Sequence, residues 1–189
     1  MNAWALPIRS PRTLTRSAAE RDRADAELAA RGDTAAFGRL YWQHAARIKA
    51  LARRLVGTAD ADDGTQEVFV RAWHRMHQFR GDSSFGTWLH RLAVNVLLRE
   101  LERGRRRSSD EAPLESIPAK PEAGFDLDLE RALATLPLGI RDVVVLHDME
   151  RYTHDEIGRL LGISRSASKM RLHRGRSALR ELLAGEESR

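Results

Sequence analysis

Cysteine is absent from all 189 residues, which excludes a disulfide framework, a thiolate metal site and a thiol nucleophile, and suits a reducing compartment. Long apolar runs are missing too. Arg, Asp, Glu or His interrupts every hydrophobic stretch well before the ~20 residues that span a bilayer, so no membrane insertion is expected and the cytoplasm is the expected location. Alternating β-branched runs do not occur, which argues against strands and for an all-α fold. Acids are lacking from residues 1–19, which hold Arg9, Arg12 and Arg16. Pro7 and Pro11 break any amphipathic helix there, and no apolar core of a secretory signal follows. Residues 1–24 therefore read as a flexible extension.

What the chain does have is charge: 31% of residues are Asp, Glu, Lys or Arg, with a net charge of +5. Such a balance permits an anionic partner without requiring one. From about Ala24 to Arg107 apolar residues recur at helical spacing, as in Leu28, Phe37, Leu40, Tyr41, Ile48, Leu51 and Leu55. Asp33 or Thr34 is placed to cap a second helix after Gly32, Gly57-Thr58 marks a turn, and residues 79–84 mark another. Residues 108–125 contain three prolines and almost no periodicity, which predicts a linker between two helical domains, 25–107 and 126–184, with a tail at 185–189. In the second domain the pattern predicts a helix over 127–136, a turn at Pro137-Leu138-Gly139, and a helix from Ile140 to about Arg151.

Thr153-His154-Asp155-Glu156 matches a capping box, in which a Thr hydroxyl and a Glu carboxylate satisfy free amides at a helix start. Gly162 can end that helix in the left-handed conformation, and Ser164 can cap the next. The following segment, Arg165 to about Arg176, carries Arg165, Lys169, Arg171, Arg174 and Arg176 and meets no acid through Arg180, whereas residues 126–156 hold eight acids against three arginines. A helix entering a major groove needs cations for phosphates and short polar groups for base edges, and Ser166, Ser168 and Lys169 fit the second need. The bland alternative is a helical hairpin with a solvated basic face.

Two constellations stand further upstream. Asp60, Asp62, Asp63 and Glu67 gather four carboxylates ahead of Val68, Phe69 and Trp73. A metal site there lacks a second ligand cluster and is not expected, which leaves a solvated face or a docking surface. Residues Phe79-Arg80-Gly81-Asp82-Ser83-Ser84-Phe85 form a polar loop flanked by aromatics, suited either to stacking on an unpaired base or to a plain capped turn. The helix after it is basic, with Arg91, Arg99, Arg103, Arg105, Arg106 and Arg107 against Glu100 and Glu102.

The strings at 60–73, 79–89 and 171–176, in that order and spacing, closely resemble bacterial sigma-70-family RNA polymerase sigma factors of the extracytoplasmic function group. The resemblance covers about residues 25–183 and implies two small helical domains, region two and region four, joined by a linker. It implies that Asp60, Asp62, Asp63, Gln66, Glu67, Phe69, Arg71 and Trp73 dock on the clamp helices of the largest polymerase subunit, with region four reaching the flap. It assigns minus-ten DNA to Phe79, Arg80, Asp82, Ser83, Ser84, Phe85, Trp88, Arg91 and Asn95, and minus-thirty-five DNA to Arg165, Ser166, Ser168, Lys169, Arg171, Arg174 and Arg176. Partners implied are core RNA polymerase, promoter DNA as duplex and melted strand, and an anti-sigma factor. No catalytic residue, metal or cofactor is implied. Gly64, Thr65, Ser168 and Met170 depart from the family pattern. The competing readings are a stand-alone helix-turn-helix regulator, which accounts for the C-terminal half only, and a hydrolase using the 60–67 carboxylates or His154, Asp155 and Glu156, the last three pointing apart within one helical turn.

Overall fold

The computed structural model describes residues 16–109 and 127–186, and among these residues there is no strand. Helix α1 (Arg16–Ala30) and helix α2 (Thr34–Val56) form an antiparallel hairpin around Gly32, with Asp33 capping α2 by accepting from the Ala36 amide at 2.9 Å. Gly57, at φ +94°, closes α2. Helix α3 (Ala61–Arg75) runs into a short 3₁₀ turn, and helix α4 (Phe85–Ser109) starts where the Ser84 hydroxyl accepts from the Thr87 amide at 3.2 Å. Leu40, Ile48, Leu55, Val68, Phe85, Leu89 and Leu97 are fully buried where α2, α3 and α4 meet.

The expected extension 1–24 is too long by nine residues, because α1 begins at Arg16. Its packing face is built from Ala26 and Ala29, with Asp22 buried and bonded to His44 Nε2 at 2.9 Å. Alanines and one acid carry little hydrophobic signal, so periodicity alone understates this helix. Residues 1–15 lie outside the described residues.

In the second half, α5 (Leu127–Thr135) is followed by α6 (Leu138–Val144), which passes directly into a π-helical turn at Val145–Met149. The expected turn at Pro137-Leu138-Gly139 is instead the start of α6, with Pro137 as N-cap and its carbonyl accepting from the Ile140 amide at 2.8 Å. Helix α7 (His154–Leu161) and helix α8 (Arg165–Glu186) complete the domain around buried Leu133, Leu146, Ile157, Leu172 and Leu179. Helix α8 continues past Arg176 because Leu179 still has a core to enter. Of the expected linker 108–125, Ser108 and Ser109 belong to α4, and residues 110–125 lie outside the described residues.

The two halves touch. Arg141, only 7% exposed, donates from Nε to the Arg54 carbonyl at 2.8 Å and from a terminal nitrogen to the Arg53 carbonyl at 3.0 Å. These carbonyls sit at the end of α2, where backbone donors run out: Arg53 still accepts from the Gly57 amide at 3.1 Å, and a side chain 87 residues from Arg54 supplies the further donors. Beside them Glu150 lies 3.5 Å from the Arg54 guanidinium and 3.3 Å from His90 Nε2.

Candidate nucleic-acid interface

The capping box is fully formed: the Thr153 hydroxyl accepts from the Glu156 amide, and the Glu156 carboxylate accepts from the Thr153 amide at 2.8 Å. Those bonds hold the Glu156 carboxyl below the usual carboxylate range, the Thr153 backbone bond leading. Gly162 adopts φ +64°, and the Ile163 amide donates to the Gly158 carbonyl at 3.0 Å. A Cβ at Gly158 would lie 2.8 Å from the Ile163 carbonyl oxygen, so this glycine admits the turn's own backbone. Ser164 caps α8 by accepting from the Ala167 amide at 3.1 Å.

Around α8, Arg165, Ser166, Lys169 and Arg174 are exposed, as are Met170 and His173, which the sequence reading left out. Ser166, Lys169, Met170 and His173 recur at three- and four-residue steps, so they share one face. Three residues expected on DNA are placed otherwise. Ser168 is fully buried, and its hydroxyl meets His154 Nδ1 at 2.9 Å, so it faces the core through a hydrogen bond. Arg176 forms a two-point pair with Asp148. Arg171 is half-buried with its guanidinium over Gly139, where a Cβ would lie 3.2 Å away. Burial would raise the Asp148 carboxyl, but hydrogen bonds from Arg176 and His147 outweigh it and lower it. His147 also stacks on His154, ring centres 4.5 Å apart.

A second basic surface lies between α3 and α4. Arg71, Arg75, Arg91, Asn95, Arg99 and Arg103 line a groove of about 250 Å³, together with Glu67, Glu100 and Trp88. Arg71 pairs with Glu67 at 2.6 Å on this flank, apart from the aspartates with which the docking set groups it. The preceding loop is chiefly a capped turn. Phe85 is 1% exposed, and its ring meets Phe79 at 5.9 Å and Trp88 at 5.7 Å, so it belongs to the core and is not free to stack on a base. Phe79, Ser83 and Trp88 are half-buried beside it, while Arg80, Asp82, Ser84, Arg91 and Asn95 are exposed.

The opposite flank of α3 faces α2 across an apolar groove of about 700 Å³ lined by Phe37, Tyr41, Phe69, Val70 and Trp73, with Lys49, Asp62 and Gln66 among its polar members. Trp42 beside it is 80% exposed and Val70 42% exposed, which extends the apolar surface of the groove outward. Asp62 pairs with Lys49 at its rim, and Asp60 and Asp63 are exposed. Phe69 is 4% exposed and forms the floor, its ring 4.6 Å from that of Tyr41. The two departures in α3 have structural reasons. A Cβ at Gly64 would lie 2.8 Å from Leu97 Cδ2, so glycine permits close packing of α3 on α4, and the Thr65 hydroxyl donates to the Ala61 carbonyl at 2.6 Å. Among the described residues no group of three or more His, Asp or Glu is placed to hold a metal ion, and no helix is long and apolar enough to cross a membrane.

Comparison with known proteins matches the two halves separately. A family model described as Sigma-70 region 2 matches residues 40–107, and one described as Sigma-70, region 4 matches residues 126–179. ECF RNA polymerase sigma factor SigE of Mycolicibacterium smegmatis is 37% identical over 84% of this chain and 67% of its own length. ECF RNA polymerase sigma factor SigM of Mycobacterium tuberculosis is 35% identical over 86% of each chain. Among solved structures, CnrH in complex with the cytosolic domain of CnrY superposes with a TM-score of 0.54 at 32% identity, covering 87% of this chain and 98% of that one. The sigma factor RpoE in complex with the anti-sigma factor NepR, from Bartonella quintana, gives a TM-score of 0.56 at 25% identity over 78% and 96%.

Proposed function

Because the chain belongs to the sigma-70 family of RNA polymerase sigma factors, in its extracytoplasmic function group, we propose that it acts through three separate surfaces. The apolar groove between α2 and α3, with Asp60, Asp62 and Asp63 at its end, docks on core polymerase. The arginine-lined groove between α3 and α4, with Arg80 and Asn95, holds the minus-ten element and its melted strand. The exposed face of α8, with Ser166, Lys169 and His173 at its centre and Arg165 and Arg174 beside it, reads the minus-thirty-five element. Strand opening is favoured by binding the separated strand, which offsets an unstacking cost of a few kcal/mol per step.

The observation that carries this reading is the division of α3. One flank offers aromatics and acids to a protein, and the other offers arginines to phosphate. A stand-alone helix-turn-helix regulator has no use for either flank. The factor carries out no covalent step itself, works in the cytoplasm where polymerase is, and is held inactive by an anti-sigma factor, a reading supported by the similar structure of RpoE in complex with the anti-sigma factor NepR. Run-off transcription with core polymerase on a pool of genomic promoters tests the proposal. It should yield discrete start sites that share two spaced elements. Tight binding to duplex DNA without any promoter-specific transcript would sink it. Co-purification from native cells that yields polymerase alone, repeatedly, would remove the anti-sigma partner.

A further inference from the structure

We infer that Met170 selects thymine in the minus-thirty-five element, its thioether packing on the C5-methyl group of that base. The inference deepens the functional reading above and rests on it for the entry of α8 into a major groove. Met170 is 56% exposed and takes no part in the hydrophobic core, so the fold itself makes no use of its apolar body. Its direction is fixed from the far side of the helix. Ser168 and Leu172 are buried, and Ser168 is hydrogen-bonded to His154 on α7. At about 100° per residue, Met170 stands roughly 180° from the midpoint of that pair, which makes it the outermost residue of its helical turn. Ser166 and His173 are exposed within about 60° of it, and the cations Lys169 and Arg174 are exposed on its two sides.

A helix presented in this way sends its flanking cations to the phosphates and its outermost residue to the base edges. There the bases differ in one respect that an apolar side chain can detect. Guanine shows the acceptors N7 and O6, adenine an acceptor and an amino donor, and cytosine an amino donor, whereas thymine adds a methyl group to its O4 acceptor. Against the first three, the thioether strips water from polar atoms and returns no hydrogen bond of comparable strength, since sulfur is a weak acceptor. Against thymine it covers one apolar group with another. The unbranched side chain has three rotatable bonds, which let it reach that methyl without any shift of the helix. Selection at this base pair therefore comes from a residue that carries no charge and donates no hydrogen bond.

The test uses holoenzyme formed from core polymerase and the full chain, bound to a promoter taken from the run-off pool. Each thymine of the upstream element, on either strand, is replaced in turn by deoxyuridine, which removes the C5-methyl group and keeps base pairing. One such replacement should weaken binding about fourfold, the factor that burial of a single methyl group carries. That sensitivity should vanish in Met170→Gln and in Met170→Ser. Both changes lie at an exposed position and leave the fold in place, which circular dichroism verifies. Indifference of the unaltered holoenzyme to every deoxyuridine overturns the inference. A methyl effect that persists in both variants does so too, as does an upstream element made of G·C pairs alone. Lys169→Ala separates these results from failure of the underlying reading. If it weakens upstream binding while no thymine methyl matters, α8 contacts DNA and only the thymine contact is refuted. If it also changes nothing, or the pool yields no promoter, the assignment of α8 to the upstream element fails first and the inference falls with it.

Discussion

Replacing Gly175 with alanine pits helix propensity against packing within one methyl group. Alanine gains about 1 kcal/mol over glycine in a helix interior. At this position, however, the new Cβ would lie 2.8 Å from Ile140 Cγ2 and closer still to Val144 Cγ2. Both are methyls on β-branched side chains, and Val144 is 3% exposed, so neither can swing aside without leaving its preferred rotamer. Overpacking of this kind costs about 1–3 kcal/mol, and with two hindered contacts the upper half of that range applies. The net is a loss of ~1–2 kcal/mol, or roughly 2–8 °C in Tm for a chain of this size. Two other glycines act as internal controls. Gly38, inside α2, has nothing within 4 Å of its virtual Cβ, so alanine there should stabilise by about 0.5–1 kcal/mol. Gly64 meets the end of a flexible leucine and should come out near neutral. Urea and thermal unfolding of the full chain, followed by far-ultraviolet circular dichroism, rank the three. If Gly175→Ala proved as stable as Gly38→Ala, the close packing of α8 on α6 would be refuted.

Burial, then Arg47 and Arg91, push the His90 imidazole down to about 4 from the ordinary 6.5, so at neutral pH the ring is uncharged and its contact with Glu150 is a hydrogen bond and not an ion pair. A depressed value means the native form resists a proton that the unfolded form accepts, so stability is lost as pH falls from about 6.5 towards 4, by up to about 3 kcal/mol. Glu150, raised by burial against Arg54 and Arg47, works in the opposite sense, but only as pH nears its own range above 4.5. Melting temperature should therefore fall between pH 7 and 5.5 and flatten in His90→Asn; an equal slope in that variant would exclude His90 as the source. Charge reversal at Asp62 and Asp63 should weaken pull-down of core polymerase about tenfold at low salt, whereas undiminished capture would move docking elsewhere. Lys169→Ala should reduce the salt slope of upstream promoter binding by about one, with Ser168→Ala leaving the slope as it was. A slope change at Ser168 instead would contradict its burial.

Local punctuation was legible in the sequence because its chemistry is local. Asp33, Gly57, Thr153 with Glu156, and Gly162 each act within four residues of themselves, and each stands in its expected role. Faces were harder. The resemblance groups Arg71 with the aspartates, but helical rotation turns it to the arginine-lined groove. The polarity of Ser168 suits a base reader, and its hydrogen bond to His154 depends on a fold that a linear pattern does not display. Trp42, Val70, Met170 and His173 went unassigned because exposure of an apolar or neutral side chain leaves no trace in composition. The contact of Arg141 with the end of α2 was out of reach altogether: a side chain bonding to backbone across 87 residues imposes no residue type on its acceptor.

The bond between Ser168 and His154 bears on how promoter preference can change. An apolar plug holds a helix at a given depth but tolerates some rotation about its axis, whereas a hydrogen bond is directional and fixes the angle. Here the azimuth of α8 is keyed from its buried side, independently of whatever residues occupy 166, 169, 170 and 173. Those four positions can be exchanged as a set of letters while the frame that presents them stays in register.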